Sequence, residues 1–259
     1  MSSRISYCHE TLNPIVGCDP SMPCAGFCWA RRTVNRLAGK FPVYKTCLSP
    51  DGKEWSGKTL WRPRELEKLT HWKKGKRIFM VAQGDLFGPA VQPRQFLDIL
   101  GRMMVHDQHR YLILTKKSNR LAEWMCRAKG CMLGHIAWGV SIIGPEDMPM
   151  LDTLLKLDPA LRLWVSFEPL LAPVSHLLTP TMLKRLSWVV IGCLKLPGDK
   201  AGGWAMDDSF GWVEEADRIQ GLCKEARVAC YIKQYPSCGL VWPGYVQEIP
   251  DFLTLPWEK

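Results

Sequence analysis

The chain alternates short apolar runs, rich in β-branched residues, with longer amphipathic stretches, which is the pattern of repeated strand–helix units. From the second run onward, the apolar runs begin at residues 77, 111, 136, 161 and 188, so they lie 25 to 34 residues apart. Parallel strands joined by helices have this spacing, and 259 residues suffice for one α/β barrel. We therefore predict an α/β fold: one parallel βα barrel, partial or complete, over residues 1–259.

Prolines and glycines help to place the ends of the predicted elements. Pro63, Pro93 and Pro180 suit the first turn of a helix, where no N–H donor is needed. Turn residues concentrated in 39–62 predict an inserted loop after the first helix. The predicted strands are Pro14–Gly17, Arg77–Ala82, Tyr111–Leu114, Ile136–Ser141, Leu161–Ser166, Trp188–Ile191 and Ala229–Lys233. The predicted helices are Trp29–Ala38, Pro63–Lys73, Pro93–His106, Ser118–Arg127, Glu146–Leu157, Pro180–Arg185 and Phe210–Glu225.

Composition narrows the setting and the partners. No apolar run is long enough to span a membrane and no signal peptide is evident, so we expect a soluble cytoplasmic protein. In that reducing compartment the eleven cysteines favour thiols and metal ligands over disulfides. Lys and Arg exceed Asp and Glu by nine, which favours a polyanionic partner, although a solvated basic surface explains charge alone equally well. We expect most of the twelve tryptophans to pack in the core, and some of them to stack on nucleic-acid bases.

Three cysteines, Cys18, Cys24 and Cys28, fall within eleven residues of a predicted loop, 17–30. Three thiolates can hold three irons of a [4Fe–4S] cluster and leave the fourth iron open. Cys24 and Cys28 are four residues apart, so one helical turn would put both sulfurs on one face. The alternative is a zinc-stabilised nucleic-acid-binding protein without catalysis, its site closed by Cys8 or His9, although zinc sites prefer shorter gaps.

Polar residues follow most predicted strands, at the end of a parallel barrel where catalytic groups gather. We expect them to face one cavity together with the cysteine loop. A hydrolase or lyase without a metal, using Glu168 and Lys233, is a further alternative. The polar segments are Gln83-Gly84-Asp85, Thr115-Lys116-Lys117, Ser141, Ser166-Phe167-Glu168, Gly192-Cys193-Leu194-Lys195 and Lys233-Gln234-Tyr235.

Several of these motifs, in this order, resemble the radical S-adenosylmethionine (SAM) superfamily, in particular a phage-encoded branch distantly similar to spore photoproduct lyase. The chain departs from the superfamily in its cysteine spacing, five residues then three instead of three then two. It also has Gly192-Cys193-Leu194-Lys195 where a Gly-Gly-Glu-Ser type of turn is expected. The similar motifs are Asn13-Pro14, Gly17-Cys18, Cys28-Trp29-Ala30, Gly84-Asp85-Leu86-Phe87, Leu114-Thr115-Lys116, Trp138-Gly139-Val140-Ser141, Ser166-Phe167-Glu168-Pro169-Leu170, Trp188-Val189-Val190-Ile191-Gly192 and Lys233-Gln234.

The resemblance implies a [4Fe–4S] cluster on Cys18, Cys24 and Cys28, with SAM bound at its open iron. Reductive cleavage of SAM would release a 5′-deoxyadenosyl radical that abstracts hydrogen from an unreactive C–H bond. The electron would come from a donor such as flavodoxin or ferredoxin, and we expect a monomer. The implied cofactor-binding residues are Phe27 for adenine, Gly84 and Asp85 for the methionine ammonium, Lys116 for its carboxylate and Ser141 for the ribose.

The resemblance and the charge together favour a nucleic acid as substrate. Our hypothesis is radical isomerisation or rearrangement of a modified pyrimidine in phage DNA, with a free nucleotide or a peptide as the alternative. Cys193 could return a hydrogen atom to a product radical, and Glu168 and Lys195 could hold the substrate. A flipped base would need a wedge, for which Trp61, Arg62 or the insertion around Trp55 are candidates. The candidate substrate-binding residues are Asn13, Trp61, Arg62, Lys233, Gln234 and Tyr235.

Overall fold

The computed structural model describes residues 5–128, 134–194, 210–234 and 246–258. Its principal sheet is a parallel half-barrel of seven strands with helices between them, which confirms the predicted α/β class. The chain divides into two compact units, Met1–Trp124 and Met125–Lys259. None of the helices in the described part of the chain combines the length and the apolar character needed to cross a lipid bilayer.

The first unit contains three parallel strands in the order β1 (Glu10–Leu12), β4 (Arg77–Met80) and β5 (Arg110–Thr115). Their C-terminal ends lie side by side, because Leu12 pairs with Met80 and Met80 pairs with Ile113. A short antiparallel pair, β2 (Ile15–Val16) and β3 (Leu60–Trp61), lies outside this sheet. The helices are α1 (Trp29–Ala38), α2 (Lys68–His71) and α3 (Pro93–Val105), with 3₁₀ helices at Pro23–Phe27, Pro42–Cys47 and Pro63–Glu67. Helix α4 (Ser118–Arg127) begins in this unit and ends just beyond its last residue.

The second unit contains four parallel strands in the order β6 (Ile136–Ile142), β7 (Arg162–Phe167), β8 (Trp188–Gly192) and β9 (Ala229–Gln234). Every residue of β6 and β8 is buried, which explains why these strands appear in the sequence as continuous apolar runs. The helices are α5 (Met148–Leu155), α6 (Pro180–Arg185) and α7 (Trp212–Ala226), with 3₁₀ helices at Pro145–Asp147, Ser175–Leu177, Asp251–Leu253 and Pro256–Glu258.

The prediction for the first strand, Pro14–Gly17, is wrong. The strand that joins the sheet is Glu10–Leu12, and Ile15–Val16 pairs instead with Leu60–Trp61. Pro14 separates the two pieces, since proline has no N–H to donate to a ladder and fits poorly inside a strand. The loop predicted at 39–62 is only partly irregular, because it contains a 3₁₀ helix and β3.

The helix predictions differ mainly at their beginnings. Trp29–Ala38, Ser118–Arg127 and Pro180–Arg185 are confirmed as predicted. The segment 63–73 starts as a 3₁₀ helix and becomes α-helical only over Lys68–His71, and 146–157 likewise contains an α-helix only over Met148–Leu155. The prediction that most tryptophans pack in the core fits the described residues. Ten of the twelve lie in the described ranges, and six of those ten are buried: Trp55, Trp124, Trp138, Trp164, Trp188 and Trp212.

Candidate active site

The cysteine loop is joined to the end of β4 by two glycines whose backbones touch. Gly17 and Gly84 form an isolated parallel bridge. The Gly17 amide donates to the Gln83 carbonyl at 3.0 Å, and the Asp85 amide donates to the Gly17 carbonyl at 3.4 Å. A Cβ on Gly84 would lie 2.5 Å from the Gly17 oxygen, so only glycine permits this approach. The contact fixes Cys18 at the C-terminal end of the first unit's sheet.

Cys24 and Cys28 occupy a different local structure from the predicted single helical turn. Cys24 lies in the 3₁₀ helix Pro23–Phe27, and Cys28 is the residue before α1, with an extended ψ of 110°. Pro23 occupies the first position of this 3₁₀ helix, so no α-helix runs into it from the preceding residues. Cys18 and Cys28 both pack against the apolar cluster around Val16 and Val34, so the loop is anchored from both of its ends.

The Cys18 thiol lies close enough to Asp85, Cys28 and Cys24 to be influenced by them electrostatically. Burial, then the carboxylate of Asp85, and to a smaller extent the Cys28 and Cys24 thiols, raise the pKa of Cys18. A single zinc ion would need its sulfurs about 3.8 Å apart, since each Zn–S bond is about 2.3 Å. No group of three His, Cys, Asp or Glu side chains in the described ranges has an arrangement suited to one ion. A [4Fe–4S] cluster places one cysteine on each of three irons, so its ligands need not converge on a point, and the three-thiol donor set fits it.

Neither neighbour proposed as a fourth metal ligand is directed at the loop. The Cys8 thiol is buried and donates to the Ile5 carbonyl at 3.6 Å. His9 accepts a hydrogen bond from the Arg77 amide at its Nδ1, 2.9 Å away. Both side chains therefore support the edge of the sheet, and the zinc hypothesis gains no ligand from them.

Asp85 is a buried carboxylate that holds the ends of β4 and β5 together. Its Oδ1 accepts from the Thr115 hydroxyl at 2.7 Å and from the Phe87 amide at 2.9 Å, and its Oδ2 accepts from the Lys116 amide at 3.1 Å. Burial raises the pKa of Asp85, and these donors, together with the charge of Lys117, oppose that shift. The predicted role of Asp85 toward the SAM ammonium stays a prediction, and the structure places Asp85 beside Cys18.

Lys117 was not among the predicted site residues, yet it binds the cysteine loop directly. Its Nζ lies 2.6 Å from Oδ2 of Asp19, the residue after Cys18. The hydrogen bond from Lys117, followed by that from Ser21, lowers the pKa of Asp19 to about 2. The sequence signal was the adjacent pair Lys116-Lys117 after β5. Which lysine faces the loop depends on the strand's register, which the sequence did not provide.

In the second unit, Glu168 and Lys233 form an ion pair across the intervening strand β8. Gly192 ends that strand, and a Cβ there would lie 3.0 Å from the Glu168 Cγ, so the absent side chain leaves room for the pair. A bulge between Ile191 and Gly192 shifts the pairing with β9, so that Gly192 lies opposite Gln234 and Lys233 is skipped.

Two serines on neighbouring strands surround Glu168. Ser141 pairs in register with Ser166, and its hydroxyl donates to the Glu168 carbonyl at 3.2 Å. The Ser166 hydroxyl donates to Oε2 of Glu168 at 3.4 Å. Cys193 follows Gly192 and is buried. The second unit thus gathers carboxylate, ammonium, hydroxyl and thiol groups at the C-terminal ends of its strands.

The remaining predicted substrate residues have local structural roles. Asn13 is buried and accepts from the Gln83 amide at 2.8 Å. Arg62 pairs with Glu65 at 2.9 Å, and its guanidinium lies 5.3 Å from the centre of the Tyr44 ring. Trp61 and Arg62 line an open groove of about 330 Å³ that continues to Glu65.

The other predicted positions are buried, half-buried or outside the described residues. Trp55 is only 3 % exposed, which makes it a core residue and rules it out as a wedge. Lys195 and Tyr235 lie outside the described residues, and of Gln234 only the backbone is described. Phe27 is half-buried at the end of the 3₁₀ helix, directly before Cys28.

Residues 2–241 match the family model described as "Protein of unknown function (DUF5131)". The chain belongs to this family. No curated protein sequence matches this DUF5131 chain.

Solved structures of spore photoproduct lyase resemble the fold of this DUF5131 protein. A variant bound to dinucleoside spore photoproduct aligns with a TM-score of 0.58 and 11 % identity, over 90 % of this chain and 78 % of that one. Another variant, with bound AdoMet and the same dinucleoside, aligns with a TM-score of 0.53 and 13 % identity, over 91 % and 78 % of the two chains. At these identities the likeness establishes the fold, which is that of spore photoproduct lyase.

Proposed function

We propose that this chain is a radical SAM enzyme that carries a [4Fe–4S] cluster on Cys18, Cys24 and Cys28. The observation that carries the proposal is the contact between Gly17 and Gly84, which attaches a three-cysteine loop to the C-terminal end of a parallel half-barrel. When bound, the cluster and SAM would supply a 5′-deoxyadenosyl radical able to abstract hydrogen from a C–H bond. The protein's own contribution is to hold, orient and shield these groups.

For SAM, charge matching supports the following assignments. Asp85 and Gly84 would receive the methionine ammonium, and Lys116 would receive its carboxylate, since charge-assisted hydrogen bonds are the stronger ones. Phe27, next to Cys28, would pack on the adenine, and Ser141 would approach the ribose. Lys117 holds Asp19 and thereby would keep the loop closed around the cluster.

For the substrate, we propose a pyrimidine base of nucleic acid that is isomerised or rearranged, as in the modification of phage DNA. The net charge of +9 supports a polyanion, and similar structures contain dinucleoside spore photoproduct. Glu168 and Lys233 would hold polar edges of the base, with Lys195 nearby in sequence. Cys193 would donate a hydrogen atom to a product radical. In this setting the enzyme would act in the host cytoplasm as a monomer, with flavodoxin or ferredoxin as electron donor.

Replacement of single cysteines tests the metal centre. Cys18→Ala, Cys24→Ala or Cys28→Ala should each abolish the cluster after anaerobic reconstitution, because each thiolate is the only protein ligand of one iron. Cys8→Ala is the matched control and should keep its iron, since that thiol bonds to the Ile5 carbonyl. Iron and sulfide content and the visible absorption lost on dithionite reduction are the measurements. Full iron in any one of the three loop variants would refute the proposal, and stoichiometric zinc would favour the non-catalytic alternative.

The substrate is tested separately with the reconstituted enzyme. Labelled SAM, a one-electron reductant and phage DNA are incubated anaerobically, and the DNA is then digested to nucleosides for mass spectrometry. A new nucleoside isomer supports the proposal. Turnover of a free nucleotide or a peptide, with no change in DNA, would refute the nucleic-acid substrate and leave the radical chemistry standing.

A further inference from the structure

The positive charge of this protein is concentrated in one segment. Residues 29–76, here called the basic insert, contain thirteen Lys and Arg against four Asp and Glu, an excess of nine. The net charge of the whole chain is also +9, so the other 211 residues are neutral in sum. A basic surface that served solubility alone would be spread over the chain. This concentration indicates a localised anionic partner.

Several cations of the basic insert are available to a partner. Arg36, Lys40, Lys45, Lys53 and Lys58 are exposed and form no ion pair with any described residue. The insert's internal ion pairs use other side chains, Arg62 and Lys68 with Glu65, while Lys76 pairs with Glu10. Cations left in water beside few carboxylates can exchange their counterions for phosphates.

Exposed aromatic side chains lie among these cations. Trp29 is 50 % exposed and Phe41 is 54 % exposed. On α1, Trp29, Arg32 and Arg36 follow one another at intervals of three and four residues, so they share one helix face. An exposed indole in line with guanidinium groups is the combination that single-strand binders use, with bases stacked on the ring and phosphates on the cations.

The basic insert also packs directly on the cysteine loop. The Lys58 carbonyl lies so close to Gly17 that a Cβ on Gly17 would be 2.4 Å from the carbonyl oxygen. A Cβ on Gly57 would likewise lie 3.6 Å from the Pro20 ring. Trp29 is the residue that follows Cys28. A nucleic-acid strand bound to the basic insert would therefore lie directly beside the cysteine loop.

We propose that the basic insert binds a single nucleic-acid strand, with phosphates on Arg36, Lys45 and Lys53 and a base stacked on Trp29, next to the cysteine loop. The inference rests on the proposed function, which it deepens by specifying an unpaired strand and not a free nucleotide as substrate. A nucleotide monophosphate would engage one cation, whereas a strand engages several at once.

The salt dependence of binding predicts how much each variant should lose in affinity. Each phosphate contact to a single strand contributes about −0.7 to the slope of log K against log salt. The triple variant Arg36→Gln/Lys45→Gln/Lys53→Gln should therefore lower the slope by about 2 and the affinity about a hundredfold at about 0.1 M salt. Trp29→Ala should lower the affinity at least about fivefold and leave the slope unchanged, because stacking releases no counterions.

Fluorescence anisotropy with a labelled oligodeoxynucleotide of about 16 nucleotides, near the upper site size of single-strand binders, measures both quantities. The matched controls lie outside the insert. Lys156→Gln/Lys184→Gln/Lys224→Gln removes three exposed charges, and Trp257→Ala removes an indole that is also 50 % exposed. Both controls should bind within about twofold of the unmodified chain.

The inference would be overturned by equal loss in the control triple, by an unchanged slope in the insert triple, or by tighter binding of the duplex than of the single strand. Loss of binding to anionic vesicles with no effect on the oligonucleotide would assign the insert to a membrane instead and would also overturn it. The binding assay needs neither cluster nor SAM. Failure here with intact SAM cleavage refutes the insert's role alone. Single-strand binding by a chain that takes up no cluster on anaerobic reconstitution would refute the proposed enzyme while leaving the inference in place.

Discussion

Gly84→Ala is the substitution that best tests how the cysteine loop is held. The new methyl carbon would lie 2.5 Å from the Gly17 oxygen and 3.0 Å from its nitrogen. Both are backbone atoms, so the loop must retreat by about 1 Å to reach ordinary contact, at a cost of about 1–3 kcal/mol. The retreat also weakens the hydrogen bonds that join Gly17 to Gln83 and Asp85.

We expect Gly84→Ala to fold but to lose most of its iron after reconstitution, because Cys18 moves with Gly17. Gly26→Ala is the matched control, since it adds the same methyl group inside the loop, where no other atom lies within 4 Å. Iron per chain and the thermal midpoint are measured for both variants. The reasoning would be refuted if Gly84→Ala bound as much iron as Gly26→Ala, or if the two lost iron equally.

Three further predictions follow from buried polar groups. Glu215→Gln should lower the free energy of unfolding by about 2–3 kcal/mol in urea titrations, because the fully buried carboxylate accepts from the Val174 and Ser175 amides and the Ser175 hydroxyl; a loss below about 0.5 kcal/mol would contradict this. Burial lowers the pKa of the His109 imidazole in the folded chain, so the unfolded chain binds a proton there at a higher pH. The free energy of unfolding should therefore fall as the pH drops below about 6.5. His109→Gln should flatten that fall, and an identical pH profile in the variant would count against this reasoning. Asp85→Asn should weaken SAM binding to the reconstituted protein by about 1–3 kcal/mol in calorimetry. Thr115→Val removes one hydrogen-bond donor to the Asp85 carboxylate but keeps the charge of Asp85, so it should change SAM binding little. Equal effects of the two variants would mean that Asp85 acts only as a structural link.

The parts of the fold that could be predicted are those with strong local signals. Strands β6 and β8 are buried along their whole length, so their apolar runs are unambiguous. Helix α6 has proline in its first turn, and the Thr179 hydroxyl accepts from the Met182 amide, which marks its start. By contrast, β1 is three residues long and carries no periodicity, so the sequence pattern favours the more apolar segment after Pro14.

The candidate site divides in the same way. The cysteines and the polar residues after each strand are visible as types and spacings. The Gly17–Gly84 contact and the Lys117–Asp19 pair join segments far apart in sequence, and no local pattern specifies them. The burial of Trp55 was likewise missed, because it lies in a segment rich in polar residues and turns, and tertiary packing alone removes it from water.

The Glu168–Lys233 pair depends on strand register and not on a loop. Glu168 directly follows β7 and Lys233 lies in β9, and the two side chains meet beside a glycine of β8, with the bulge at Ile191/Gly192 setting the offset. Insertions and deletions in the connecting segments therefore leave the pair in place, whereas one residue lost within β9 would turn Lys233 to the opposite face of the sheet. During evolution such a pair can persist unchanged while the segments around it lengthen, shorten and acquire new specificities.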